Sequence, residues 1–210
     1  MNLVIMGVQG SGKGTQSKTL SEHLKVPHIS VGDLFRGHVG HGTELGKKAR
    51  EYMDRGELGP DDIVIDMVRA RLGEPDARGG FLLDGFPRNG VQLAALEYMR
   101  PVDCAILLDL DDETAVSRLA ARVECRPCGI IYGANRPPVR EGICDECGGA
   151  ILKRSDDQKE EAVRKRVALY HQEIEILLRY YGWKKVLLTV NAAPPVREVF
   201  QNILKAISRM

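Results

Sequence analysis

The chain has 210 residues, 43% of them hydrophobic and 28% charged, a composition ordinary for a globular protein with one full core. Thirty Lys and Arg residues against 29 Asp and Glu leave a net charge of +1, which excludes a general basic field for binding nucleic acid. No apolar run approaches the roughly 20 residues that span a bilayer. Residues 1–6 carry no basic leader and run straight into a glycine-rich motif, so we expect a cytoplasmic protein.

Short, continuously apolar runs alternate with stretches of helical character along the chain. Runs of this kind are typical of strands that are buried on both faces of a parallel sheet. The predicted strands are residues 3–6, 28–30, 81–83, 105–110 and 186–190. The sequence therefore predicts an α/β fold with a central five-stranded parallel sheet and helices on both faces.

Helices are predicted between these strands from acidic starts and from apolar residues at three- and four-residue spacing. They cover residues 13–24, 61–72, a segment opening at Asp111, 159–181 and 196–207. Two segments interrupt the strand–helix rhythm: residues 30–59, which are helical but without a strand, and residues 123–157, which are rich in Gly, Pro and Cys. We interpret both as inserts on the ligand-binding edge of the sheet.

The first predicted strand leads directly into a glycine loop, Gly7-Val8-Gln9-Gly10-Ser11-Gly12-Lys13. Such a loop lets backbone N–H groups surround phosphate oxygens, the helix N-terminus adds positive potential, and the lysine reaches the β- and γ-phosphates. Gly14 occupies the position where this motif usually has Ser or Thr, and Thr15 follows one residue later. The alternative is a plain glycine turn with a surface lysine, but the place between strand and helix favours a phosphate site.

A second motif, Asp84-Gly85-Phe86-Pro87-Arg88, follows the predicted strand at 81–83. It therefore lies at the carboxyl end of a strand, where open α/β sheets bind ligands. An aspartate there can orient water around Mg²⁺, and an arginine can bind a phosphate with two hydrogen bonds. Alternatively, Asp84 caps a turn and Arg88 is a solvated surface charge.

Four of the five cysteines form two CxxC pairs with 15 residues between the pairs: Cys125, Cys128, Cys144 and Cys147. This is the spacing of a structural four-thiolate zinc site. Two disulfides, redox activity or a nucleic-acid-binding ribbon are the alternatives. The nucleic-acid-binding ribbon is disfavoured, because the basic and aromatic residues that could contact nucleic acid between the two pairs are only Arg136, Arg140 and Tyr132. The fifth cysteine, Cys104, is predicted to be a buried packing residue.

Taken together, these motifs resemble the adenylate kinases, specifically the bacterial long-lid type, and the likeness runs nearly from end to end. It is carried by residues 7–16, by Asp33 with Arg36, by residues 84–88, and by residues 154–157 with Arg166. The resemblance implies a P-loop nucleoside monophosphate kinase fold. Its core would be residues 1–29, 60–121 and 159–210, its AMP-binding insert residues 30–59, and its lid with zinc knuckles residues 122–158.

The activity that this resemblance implies is reversible transfer of the terminal phosphoryl group from MgATP to AMP, giving two ADP, with a lid that closes to exclude water. The implied cofactors are Mg²⁺ bound with ATP and a structural Zn²⁺. The implied partners are the nucleotides ATP, AMP and ADP, with neither nucleic acid nor membrane, and the family leads us to expect a monomer.

The resemblance also assigns site residues. Those around the transferred phosphoryl group, implied to be catalytic, are Lys13, Arg88, Arg122, Arg154 and Arg166. The implied ATP site comprises Gly10, Ser11, Gly12, Lys13, Gly14, Thr15, Arg118 and Arg122, with Arg118 stacking on the base. The implied AMP site comprises Ser30, Val31, Arg36, Gly85, Arg88, Gln92, Arg154 and Arg166, with Gln92 reading the adenine edge. Asp33 and Asp84 match the carboxylates that hold Mg²⁺ through water.

The chain departs from the family pattern at Val31 and Phe35, where threonine and leucine are expected in the AMP pocket, and this bears on how strictly the base is selected. The register near the last arginine has two solutions. Counting from Asp157 aligns the family's last active-site arginine with Lys165. Aligning from the helix that follows places it at Arg166. We favour Arg166, because residues 163–166 agree with the family pattern as a block.

Other functions remain open at this stage. A kinase for GTP or another nucleotide would share most of these motifs. A nucleotide-gated switch is disfavoured for two reasons. It would not need the acceptor site that residues 84–88 supply, and the sequence Asn-Lys-x-Asp, which recognises guanine in such switches, does not occur. A zinc-ribbon nucleic-acid binder is the third alternative.

Overall fold

The core of the molecule is a parallel sheet of five strands in the order β2-β3-β1-β4-β8. Its strands are β1 (Asn2–Gly7), β2 (His28–Ser30), β3 (Phe81–Asp84), β4 (Cys104–Asp109) and β8 (Leu187–Asn191). These elements come from a computed structural model that describes residues 1–44, 46–47, 59–133, 136–153 and 160–210, and only the backbone at 160 and 162. The predicted five-stranded parallel sheet is confirmed, with no strand end shifted by more than one residue.

Helices connect the strands and cover both faces of the sheet. In chain order they are α1 (Lys13–Leu24), α2 (Val31–Gly40), α3 (Asp61–Leu72), α4 (Gly90–Met99), α5 (Asp112–Ala120), α6 (Glu160–Trp183) and α7 (Val196–Ile207). A short 3-10 helix spans Pro75–Ala77. Sequence patterns predicted these α-helices except α4, whose residues are apolar on nearly every side and show no amphipathic period.

The two faces of the sheet are packed by separate hydrophobic clusters, because successive residues of a strand point to opposite faces. Val4 and Met6 of β1 pack with residues of α2, α3, α4 and the second half of α6. Leu3 and Ile5 pack on the other side with residues of α1, α5, α7 and the first half of α6. The 24-residue helix α6 therefore contributes to both clusters.

The strand register brings the functional segments to one edge. In the parallel pairs, Ile5 and Ser30 both lie beside Asp84. The carboxyl ends of β1, β2 and β3 thus meet at the same edge of the sheet, and the glycine loop starts there at Gly7. This is the position expected for a ligand site in a doubly wound sheet.

The cysteine-rich segment forms a small antiparallel sheet of its own in the order β6-β5-β7, which the sequence did not predict. Its strands are β5 (Val123–Cys125), β6 (Ile131–Tyr132) and β7 (Ile151–Lys153). The buried residues of this segment are Cys125, Tyr132, Cys144 and Ile151. Such a core is too small to hold a fold by burial alone, so an additional cross-link is expected.

None of the helices in the described ranges combines the length and the apolar composition that crossing a bilayer requires. Parts of both predicted inserts, at residues 45, 48–58, 134–135 and 154–158, lie outside the described residues, as does residue 159 of the predicted core.

A half-buried ion pair ties α4 to the end of α6. Lys184 Nζ donates to Glu97 Oε2 at 2.7 Å and to the carbonyl oxygen of Val102 at 2.9 Å. The Glu97 and Lys184 side chains are only 14% and 25% exposed. Removing the lysine would leave a largely buried carboxylate without its cation.

We therefore expect Lys184→Met to lower the free energy of unfolding by about 1.5–3 kcal/mol, measured by urea denaturation. The matched control is Arg69→Met, which breaks the pair with Asp66 on the exposed face of α3 and should change stability by less than about 0.5 kcal/mol. Equal losses in the two variants would contradict the assigned role of the buried pair.

Candidate active site and metal centre

The glycine loop joins β1 to α1 and opens onto the carboxyl edge of the sheet. Gly10 has a φ of +91°, and a Cβ at that position would lie 2.7 Å from the carbonyl oxygen of Ala115. Both conformation and space therefore require glycine there. Gly12 is the N-cap of α1 and has no side chain with which to cap it, so the first N–H groups of the helix remain suited to binding an anion.

Lys13 is folded back over this loop. Its Nζ donates to the carbonyl oxygens of Gly7 at 2.5 Å and Val8 at 3.0 Å. Burial lowers the pKa of Lys13 from 10.5 to about 8; Asp84 opposes this shift, and Arg88 and Arg122 add to it. Three charged groups thus lie within electrostatic reach of Lys13, and two of them are cationic.

Arg88 lies beside Lys13 at the end of the Asp84–Arg88 segment. Its Nε donates to the carbonyl oxygen of Gly85 at 2.9 Å. Burial lowers the pKa of Arg88, while the carboxylates of Glu173 on α6 and of Asp84 raise it. Gly85 has a φ of +83°, a left-handed conformation that favours glycine at this turn.

Gln92 is buried on α4, and both ends of its amide have protein partners. Its Oε1 accepts from the backbone N–H of Arg88 at 2.8 Å, and its Nε2 donates to Asp61 at 2.7 Å. Asn89 caps α4 by accepting from the Gln92 N–H, and it also donates to Asp61. Asp61 therefore fixes Gln92, a role that the sequence did not reveal, since it indicated only that Asp61 opens a helix.

Three further residues assigned to the AMP site, Ser30, Val31 and Arg36, lie on or beside α2. Ser30 caps this helix by accepting from the Asp33 N–H, and Asp33 pairs with Arg36 on its exposed side. Val31 and Phe35 are buried in the core cluster of that face of the sheet.

The two carboxylates assigned to magnesium differ in their surroundings. The side chain of Asp33 is 68% exposed, whereas that of Asp84 is 14% exposed and faces the start of α1. His28 Nε2 lies 3.7 Å from an Asp84 oxygen, and His28 also acts electrostatically on Asp33. No local motif marks His28, because its placement beside Asp84 depends on the pairing of β2 with β3.

The other arginines come from α5, from the residue before β5, and from α6. Arg118 donates to the carbonyl oxygens of Ala192 and Ala193 at 2.9 and 2.8 Å. Arg122 acts on Lys13, as noted above. Arg166 is half-buried on α6, whereas Lys165 is exposed, and Arg154 lies outside the described residues.

The four cysteines of the CxxC pairs form one cluster. Their sulfur atoms all lie within 4.8 Å of one another, with Cys125 and Cys147 at 3.4 Å and Cys128 and Cys144 at 3.5 Å. Tetrahedral zinc with Zn–S bonds of about 2.3 Å places sulfur atoms about 3.8 Å apart, so the donor set can hold a metal ion. The fifth cysteine, Cys104, is buried as expected, and burial raises the pKa of its thiol to about 12.

Glycines allow the two cysteine turns to approach each other. Gly129 and Gly148, the residues after the second cysteine of each pair, have φ values of +69°. A Cβ at Gly149 would lie 2.5 Å from Cγ of Pro127 and 3.3 Å from the Cys125 sulfur. The second turn therefore packs directly against the first, as a shared metal requires.

Comparison with known proteins agrees with this geometry. The adenylate kinase family model matches residues 5–186. The chain belongs to the adenylate kinase family. Curated adenylate kinases from Caldicellulosiruptor saccharolyticus and Streptomyces coelicolor are each 44% identical to it over 216 residues, covering at least 99% of both chains. The adenylate kinase from Archaeoglobus fulgidus is 45% identical over 209 residues, covering 97% of this chain and 96% of that relative. The resemblance inferred from motifs is thus confirmed, and the protein is a nucleoside monophosphate kinase.

If Lys13 binds a nucleotide phosphate, its lowered pKa predicts that nucleotide binding depends on pH. Above pH 8 the unliganded lysine loses its proton, whereas phosphate beside Nζ favours the ammonium form and raises the pKa. ATP binding should therefore take up a proton above pH 8 and weaken by up to about tenfold per pH unit, with no contribution from this group below pH 8.

Calorimetric titration at pH 7.5 and pH 9, in buffers of different ionisation enthalpy, measures this uptake. Lys13→Arg is the matched control, because arginine stays charged throughout and should show no added uptake at pH 9. The same uptake in both proteins at pH 9 would contradict the assignment to Lys13.

Proposed function

We propose that the protein catalyses reversible transfer of the terminal phosphoryl group from MgATP to AMP, giving two ADP. The observation that carries this proposal is the grouping of Asp84, Arg88 and Arg122 around Lys13 at the carboxyl edge of the sheet. Lys13 belongs to the glycine loop, and Arg88 belongs to the separate Asp84–Arg88 segment. Two phosphate-binding elements meeting at one point suit a reaction between two nucleotides.

On the ATP side, the glycine loop and the N-terminus of α1 supply backbone donors for the β- and γ-phosphates. Lys13 would exchange its bonds to the Gly7 and Val8 carbonyls for bonds to phosphate oxygens. The guanidinium of Arg118 is held in place by the carbonyls of Ala192 and Ala193. An anchored planar cation of this kind is suited to stacking on the base.

On the AMP side, Arg88 would bind the acceptor phosphate and Gln92 would read the adenine edge. Gln92 is fixed by Arg88 N–H and by Asp61, so its amide orientation is set before a base arrives. Each end of the amide has one further hydrogen-bonding position. Ser30, Val31, Arg36 and Gly85 complete the proposed site, together with Arg154 and Arg166.

The chemistry needs little more than positioning and charge neutralisation. An oxygen of the AMP phosphate attacks the γ-phosphorus of ATP in line with the departing ADP, and negative charge spreads over the equatorial oxygens in the transition state. Arginines suit this task because the planar guanidinium meets two oxygens at once. Arg88, Arg122, Arg154 and Arg166 are the residues we assign to it, with Lys13.

Mg²⁺ bound with ATP would further neutralise the phosphate charge, and Asp84 and Asp33 would hold it through water molecules. The residues fit such an ion, since the Asp84 carboxylate faces the start of α1, where the loop would present the phosphates. His28 Nε2 lies 3.7 Å from the Asp84 carboxylate on the neighbouring strand.

The inserts would close over the nucleotides. We assign residues 1–29, 60–121 and 159–210 to the core, residues 30–59 to the AMP-binding insert and residues 122–158 to the lid. If ATP met water in place of AMP it would be hydrolysed, so closure before transfer protects the reaction. We further propose that the lid cysteines hold a structural Zn²⁺ with no open coordination position.

Phosphoryl transfer is tested with MgATP and, in turn, AMP, GMP, CMP and UMP as acceptors. We expect ADP to form with AMP alone, because Gln92 is fixed to recognise adenine. Arg88→Met should reduce kcat/KM for AMP by about 10²–10³-fold, whereas Arg69→Met on the exposed face of α3 should leave it unchanged.

A preference for another acceptor would overturn the AMP specificity and direct attention to Val31 and Phe35. Binding of ATP without transfer to any acceptor would overturn the proposed reaction as a whole.

The zinc proposal is tested by metal analysis and thermal unfolding. We expect about one zinc per chain, and we expect a chelator or Cys144→Ser to release zinc and lower the melting temperature while some activity survives at low temperature. Cys104→Ala is the matched control, since Cys104 lies outside the cluster and should leave the zinc content unchanged. An unchanged melting temperature with chelator present would sink the zinc proposal.

A further inference from the structure

Tyr132, in the segment between the two CxxC pairs, contacts the cysteine cluster directly. Tyr132 on β6 is 1% exposed, and its hydroxyl oxygen lies 3.3 Å from the sulfur of Cys144. The same oxygen accepts a hydrogen bond from the backbone N–H of Asp145 at 2.9 Å. The hydroxyl therefore sits between the metal ligand and the residue that follows it.

The other hydrogen bond of the hydroxyl and the state of the sulfur together decide which atom donates in the contact between Tyr132 and Cys144. A phenol has one proton to donate, and the Asp145 N–H already uses an acceptor position of the oxygen. Within the part of the chain that the structure describes, the Cys144 sulfur is the hydroxyl's other partner. Once a metal is bound, the Cys144 thiolate can only accept, so the Tyr132 hydroxyl is then the donor.

The need for such a donor follows from charge and burial. Four thiolates and one divalent cation carry two uncompensated negative charges, which hydrogen bonds to sulfur help to disperse. Cys128 and Cys147 are exposed, so water can serve them, but Cys125 and Cys144 are buried. At Cys144 the protein itself must supply the donors, and Tyr132 adds a side chain to the backbone N–H groups of the turn.

We propose that Tyr132 is a positioning residue of the lid metal site, whose hydroxyl orients the Cys144 thiolate and slows the loss of bound zinc. This inference rests on the zinc site proposed above and deepens it.

The position of Tyr132 also links the metal to the active site. On β6 it pairs with Val123 of β5, the residue directly after Arg122. Its ring is covered by the guanidinium of Arg136, 5.4 Å from the ring centre, and Arg136 in turn bonds Glu146 at 3.2 Å. A fixed Tyr132 therefore fixes the strand that begins next to a catalytic arginine.

Tyr132→Phe tests the inference, because it removes the hydroxyl and keeps the ring that packs under Arg136. We expect zinc to bind about 10–100-fold more weakly and to transfer faster to a chromogenic chelator. Tyr181→Phe is the matched control: Tyr181 is 0% exposed, and its hydroxyl has no hydrogen-bond partner among the described residues. Its zinc affinity should equal that of the wild type.

Two further readouts separate a thiolate donor from a residue that only braces the loop. In the Co²⁺-substituted protein, the sulfur-to-cobalt charge-transfer band should shift in Tyr132→Phe and stay in place in Tyr181→Phe. The melting temperature should fall more for the zinc-loaded form of Tyr132→Phe than for its metal-free form, each compared with the corresponding wild type.

Wild-type zinc affinity and an unshifted cobalt band in Tyr132→Phe would overturn this inference and leave the zinc site standing. A wild-type protein that binds no zinc would overturn the zinc site and this inference together. Neither result bears on the phosphoryl-transfer assay, which tests the proposed reaction separately.

Discussion

The buried ammonium group of Lys13 sets the electrostatics of the site. It is surrounded by more positive than negative charge, and burial already disfavours its protonated form. Two backbone carbonyls hold it in the unliganded protein, although they offer only partial charges. Binding a polyanion stabilises such an arrangement strongly, because the anion interacts favourably with several cationic side chains at once. A chain with a net charge of only +1 can thereby bind two nucleotides.

The sheet makes this grouping possible. Its strand order places the ends of β1 and β3 side by side, so that the glycine loop and the Asp84–Arg88 segment meet although they are far apart in sequence. The partners of Arg88 and Gln92 then come from α3 and α6, which pack on the same face. The cysteine-rich segment forms its own small sheet and core, and a metal held by the four cysteines would compensate there for the apolar surface that the segment lacks.

Much of this architecture was predictable because it leaves local signals. Buried strands are continuously apolar, helices with one buried face have a 3.6-residue period, and both phosphate motifs and the cysteine spacing are short patterns. Helix α4 was missed because its apolar residues show no period, and the lid strands because two or three residues are too few to form a pattern. The contacts of Asp61 with Gln92 and of His28 with Asp84 join distant segments, and only tertiary structure creates them.

Helix α6 has a mechanical consequence. At 24 residues it is about 36 Å long, and it is anchored in one cluster by Val163 and Val167 and in the other by Ile174, Leu177 and Tyr181. A tilt of only about 10° about one end would carry the other end about 6 Å, which packing at both ends resists. The helix thus acts as a rigid strut between the two clusters, and Arg166, half-buried between Val163 and Val167, lies within its first anchor and is held in place with it.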